Sequence, residues 1–148
     1  MRLVTLGALL SMAVIAVAHA ASVDRVQIVR AGLWNPGDGA RPAFVRVTDT
    51  VPAKVGTIFG IEWRPLGRGG DGASNVKVRW LYPPPGLQHP VTRVRRNSDE
   101  FDYPVTMGAR EVTVIELNSE AMLLPGKWVV EINDAARPLA RQEFTLTR

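Results

Sequence analysis

The sequence contains no cysteine and only two histidines, His19 and His89. A disulfide framework, a thiol nucleophile, and any zinc or haem site built from several Cys or His ligands are therefore excluded. No stretch carries a capped, 3.6-periodic helix of useful length. Only one long apolar run exists, Leu3–Val17, and there is no internal repeat or low-complexity linker. What is there is a folding composition: 46% hydrophobic against 22% charged residues, well away from the polar, highly charged profile of disorder.

The apolar run explains the first twenty residues. Met1-Arg2 is a short positive start, and Ala18-His19-Ala20 puts small residues at both positions that signal peptidase reads. Cleavage is expected between Ala20 and Ala21. About 15 apolar residues fall short of the roughly 20 that span a bilayer, and no Cys follows to carry a lipid. Residues 1–20 thus read as a cleavable signal peptide, and residues 21–148 as one domain exported to a periplasm or beyond. A chain near 130 residues buries about two-thirds of its unfolded surface, so it needs no metal or staple.

Period-two alternation recurs through that domain. Val26, Ile28 and Arg30 alternate with Gln27 and Val29. Phe44 to Thr48 follows, then Ile58 to Arg64 with Phe59, Ile61 and Trp63 on one face. Val76, Val78, Trp80 and Tyr82 point one way while Lys77 and Arg79 point the other. Val91 to Arg96, a short Pro-interrupted piece from Phe101 to Val105, and Val112 to Leu117 come next. Trp128, Val130 and Ile132 precede a last strand, Gln142 to Thr147. Turn formers lie between them, at Asn35–Gly39, Gly67–Gly72, Pro83–Gly86, Asn97–Asp99, Pro125-Gly126 and Asn133-Asp134. About eight short strands with this spacing predict an all-β, antiparallel two-sheet sandwich of immunoglobulin-like type, with polar outer faces and Trp63, Trp80 and Trp128 inside. A closed barrel is the alternative; its strands would need more even spacing.

Four stretches carry a resemblance: Asp24–Trp34, Val51–Ile61 (with its Pro-Ala, Gly and Phe-Gly elements), Pro83–Leu87 with Pro90, and Pro125–Ile132 followed by Leu139 and Phe144. In this order the chain resembles the bacterial exported family known as domain of unknown function 3859. The resemblance implies a small periplasmic β domain. It implies no activity.

The candidates for chemistry are few. A Ser or Thr nucleophile generally needs a base, and His89, in a Pro-rich loop, is the only histidine beyond the leader. No Gly-x-Ser-x-Gly elbow accompanies it. Asp99, Glu100 and Asp102, or Glu116 and Glu120, could pair as glycosidase acids, but a sandwich of this size has little material for a cleft. No alternating Asp/Asn loop points to Ca²⁺. Gly67–Gly72 fits neither the nucleotide-binding glycine pattern nor the P-loop, and no helix follows it. Pro83-Pro84-Pro85 is expected to be extended, as a rigid connection or a docking ligand. No catalytic, metal or cofactor site is assigned.

Charge is the most informative remainder. Fifteen of the eighteen basic residues are Arg, against fourteen acids, for a net +4. If Val76–Tyr82 paired with Val91–Arg96, then Lys77, Arg79, Arg93 and Arg95 would share one sheet face. That face would suit an acidic partner, either an envelope protein or an anionic envelope polymer, unless Asp99, Glu100 and Asp102 neutralise it. Nucleic acid is a poor partner, because export removes it. The expected function is a non-catalytic, periplasmic interaction module; the alternative is a small hydrolase acting on envelope polymers.

Overall fold

The structure is a computed structural model that describes residues 21–39, 41–68, 73–135 and 137–148. The expected leader, residues 1–20, with the Ala20 side of its expected cleavage site, and residues 69–72 of the glycine-rich connection lie outside the described residues.

Among the described residues eleven strands are formed: β1 (Ser22–Asn35), β2 (Ala43–Val47), β3 (Thr50–Pro52), β4 (Ile58–Arg68), β5 (Ala73–Leu81), β6 (Leu87–Gln88), β7 (Arg95–Arg96), β8 (Ser98–Thr106), β9 (Glu111–Glu116), β10 (Gly126–Asp134) and β11 (Arg137–Thr147). A 3-10 turn at Glu120–Met122 is the only helical element among the described residues. One sheet runs β2-β1-β4-β9 and the other β3-β11-β10-β5-β8, with β6-β7 a separate small hairpin. All neighbours are antiparallel except β3, which runs parallel to β11. The all-β, two-sheet expectation holds.

The alternation set the inner faces. Phe59, Ile61 and Trp63 of β4 face Val76, Val78 and Trp80 of β5, and Trp128, Val130 and Ile132 of β10, in one buried cluster. Phe59 sits at its centre. Its ring meets Trp80, Trp128 and Phe144 edge-on, with centroids 5.8, 5.8 and 5.1 Å apart, the geometry that aromatic quadrupoles prefer. Buried indole N–H groups find acceptors: Trp63 Nε1 donates to Thr113 Oγ1 at 2.9 Å, and Trp128 Nε1 to the Leu124 carbonyl at 3.0 Å.

Three local expectations are corrected. Val91–Arg96 is not one continuous strand: only Arg95–Arg96 pair, as β7, and residues 91–94 are the tip of the β6–β7 hairpin, with Arg93 at φ 60° and Val91 82% exposed. Its β-branched residues mimic strand alternation, but no neighbour lies there to bury them. The partner of β5 is β8, with Lys77 opposite Asp102 and Arg79 opposite Glu100. That strand tolerates Pro104 because it is the sheet edge. Pro83–Pro85 is not extended. It turns, with the Gly86 N–H donating to the Pro83 carbonyl at 2.9 Å. Gly86 has φ +85°, and a Cβ there would stand 2.6 Å from the Arg96 carbonyl oxygen, so only glycine closes this turn without strain.

Arg30 also departs from the simple alternation. A register shift between Ile28 and Arg30 leaves Ile28 opposite Trp63 and Arg30 opposite Glu62. The bulge turns Arg30 away from the core and onto the outer face of the four-stranded sheet.

Candidate functional site at the loop end

Lys77 and Arg79 do share the outer face of the five-stranded sheet, as their alternation required. Arg93 and Arg95 do not join them, because they belong to the β6–β7 hairpin. Arg95 Nη1 instead donates to the Gly86 carbonyl at 3.2 Å and braces that hairpin. The four-residue cationic face is therefore not assembled. Around Lys77 and Arg79 the cross-strand acids intervene. Lys77 Nζ lies 2.9 Å from Asp102 and 3.7 Å from Glu100. Farther across the same sheet Arg141 pairs with Glu131 and Glu143, and Lys127 with Glu143. These exposed pairs contribute little stability each, but together they cancel the field that an acidic partner would feel.

A more enclosed concave feature with mixed chemistry lies elsewhere, at one end of the sandwich. A pocket of about 350 Å³ opens between the β6–β7 hairpin and the segment that follows β9. Leu87, Ile115 and Met122 give it apolar walls, while Gln88, Asn118 and Arg96 bring amide and guanidinium groups. The hairpin fits this position because Leu87 is buried against the core and anchors its base. Its tip is held locally: His89 Nδ1 accepts the N–H groups of Val91 and Thr92 at 3.2 and 3.1 Å. Val91 and Val94 stay 82% and 65% exposed.

Asp99 organises the polar side of the pocket. It accepts Tyr82 Oη–H at 2.7 Å and Arg96 Nε–H at 2.6 Å. Burial pushes the Asp99 carboxyl up, but the hydrogen bonds from Arg96 and Tyr82 outweigh it and hold the group below its ordinary range. Burial, reinforced by the Asp99 charge, drives the Tyr82 phenol well above its ordinary value. The trio is thus a neutral phenol, a carboxylate and a guanidinium, all in their stable protonation states. Such an arrangement orients groups.

With this geometry in view, known structures can be compared. An immunoglobulin-like protein from Pseudomonas aeruginosa superposes with a TM-score of 0.66 at 22% identity, over 85% of this chain and 99% of that one. The fold is immunoglobulin-like. A β-glucosidase from Listeria innocua aligns at a TM-score of 0.40 and 12% identity, over 84% of this chain and 16% of the enzyme. One from Bifidobacterium adolescentis aligns at 0.37 and 13% identity, over 85% of this chain and 17% of the enzyme. The chain spans a small part of either enzyme, and neither likeness bears on sugar hydrolysis. No family model matches the chain, and no curated protein matches it.

The acids considered for hydrolysis are scattered. Asp99 is the one carboxylate lining the end pocket among the described residues. Asp102 is on the outer sheet face with Lys77, Glu116 is exposed at the end of β9, and Glu120 is exposed in the 3-10 turn. His89 is exposed and spends Nδ1 on backbone donors. Among the described residues no group of three His, Cys, Asp or Glu could hold a metal ion.

Proposed function

We propose that this chain is an exported, non-catalytic interaction module of the cell envelope, and that it receives an envelope protein at the loop end of its sandwich. The observation that carries this reading is the pairing of an open pocket with an exposed apolar hairpin tip on a rigid scaffold. Loops held by a packed β core are where binding residues concentrate. Val91 and Val94 supply apolar area that water disfavours, and Gln88, Asn118 and Arg96 supply directional donors beside it. The N-terminal leader supports export, as does the likeness to domain of unknown function 3859. The immunoglobulin-like fold is in keeping with a module that binds without catalysis. The ion pairs of Lys77, and the acids Glu100 and Glu131 opposite Arg79, weigh against that face as the contact surface.

The test is site-specific photocrosslinking in living cells. A photoreactive residue at Val91 or Gln88 is expected to give a discrete adduct with one envelope protein. The same residue at Thr145, exposed on β11, is expected to give none. Equal labelling from both places, or no adduct from Val91 in exported protein, would overturn the reading.

A further inference from the structure

The arginine surplus is gathered on the four-stranded sheet, opposite the face the sequence suggested. Glu62 of β4 is only 3% exposed. Arg30 Nε donates to its Oε2, and Arg110 Nη1 donates to its Oε1 at 3.2 Å. Each carboxylate oxygen is thus occupied by its own guanidinium. Arg110 remains 59% exposed in its side chain, and it lines a pocket of about 220 Å³ together with Arg41, Pro42, Tyr103, Glu111 and Val112. Trp63 is in register with Glu111, so Arg64, the next residue of β4, runs beside Arg110. The Nε of Arg64 is shielded from solvent and has no hydrogen-bond partner. Glu111 is engaged from the other side, accepting Tyr103 Oη–H at 3.1 Å.

Arg41 and Arg110 therefore meet at one pocket whose lining holds Glu111 as its one carboxylate among the described residues, while the outward carboxylate Glu62 is shared by Arg30 and Arg110. A guanidinium carries five donors and no acceptor, and a shielded donor without a partner is costly. Like charges gathered at a pocket are relieved by a compact dianion, and planar guanidinium forks match a phosphate bidentately. At about 30 Å³ per water molecule, the pocket admits one phosphate group with part of whatever bears it.

We propose that the pocket between Arg41 and Arg110 binds a phosphate-monoester dianion, carried by a soluble sugar phosphate or a lipid head group. It lies apart from the end pocket, so crosslinking at Val91 stands or falls separately.

The test uses the purified chain, inorganic phosphate and amide NMR at low salt. Saturable shifts are expected at Arg41, Arg110 and Val112. Affinity should fall about tenfold in Arg41→Ala, the loss of roughly one charge-assisted contact, and stay unchanged in Arg79→Ala on the other sheet. Binding should also weaken as the pH drops through the second ionisation of the phosphate, where the dianion becomes a monoanion. Glucose 1-phosphate and phosphatidylcholine vesicles doped with phosphatidic acid then separate the sources. Competition by the sugar phosphate without vesicle retention supports a soluble ligand; retention by doped but not plain vesicles supports a head group. Absence of saturable shifts, equal affinity in Arg41→Ala, or equal weakening in Arg79→Ala would overturn the proposal.

Discussion

Removing Arg30 should destabilise the protein more than removing Glu62, although each deletes the same ion pair. The asymmetry follows from burial. The Glu62 side chain is 4% exposed, whereas those of Arg30 and Arg110 are 40% and 59% exposed. Arg30→Met leaves a buried carboxylate with Arg110 as its one remaining cation. Breaking a buried pair from one side costs about 3–5 kcal/mol. Arg110 still neutralises part of the charge, so the lower end of that range, about 3 kcal/mol, is expected. Arg30 also lies 4.4 Å from the centroid of Phe44, a contact contributing about 0.5–1 kcal/mol. Glu62→Met instead leaves two cations that can turn toward water, and an apolar side chain fills the site, so about 1 kcal/mol is expected. In the Glu62→Met background, adding Arg30→Met should cost only the lost ring contact, about 1 kcal/mol against about 3 kcal/mol in the native background. The coupling across the double-mutant cycle is then about 2 kcal/mol. Urea unfolding followed by tryptophan fluorescence measures this, provided the slope stays constant across variants. A Glu62→Met loss equal to or larger than that of Arg30→Met, or additive effects within about 0.5 kcal/mol, would refute the burial argument.

Other consequences are as specific. Phe59→Ala empties the site where three aromatic rings meet and should cost about 3–5 kcal/mol in the same assay, a large share of a typical total of about 5–15 kcal/mol. Thr113→Val keeps the shape but leaves the buried Trp63 indole N–H without its acceptor, so a loss of about 1–3 kcal/mol is expected in thermal or urea melts. The Asp99 trio should shape the pH profile. The Asp99 carboxyl is lowered in the fold, so its contribution is present above its ordinary value of 3.8 and lost as the pH falls through the lowered one. Tyr82 is raised, so its contribution is present below its ordinary value of 10.0 and lost as the pH climbs toward the raised one. Asp99→Asn should flatten the acid limb of a stability-versus-pH curve, and an unchanged limb would show that other groups control it.

Alternation fixes which side of a strand is apolar. That is why Phe59, Ile61 and Trp63, the Val76–Tyr82 series, and Trp128 to Ile132 could be placed inside from sequence, and with them an all-β sandwich. Lys77 and Arg79 were likewise legible as outward residues. Their significance was not, because it depends on which strand lies beside β5. That strand brings Asp102 and Glu100 rather than Arg93 and Arg95.

The two pockets were legible only in fragments. The Pro83–Pro90 connection drew attention as a loop, but Ile115 and Met122 reach its pocket from distant parts of the chain. Glu62 carried a signal that passed unused: it is the one carboxylate of β4, set between the core residues Ile61 and Trp63. Which cations answer was set by a bulge that rotates Arg30 outward and by the return of the chain at Arg110. Local sequence determines periodicity and turn chemistry, because those depend on neighbours a few residues apart. Strand order, register and bulges arise from contacts between residues far apart in the chain, so charge neutralisation on one sheet and charge accumulation on the other were decided by the tertiary structure alone.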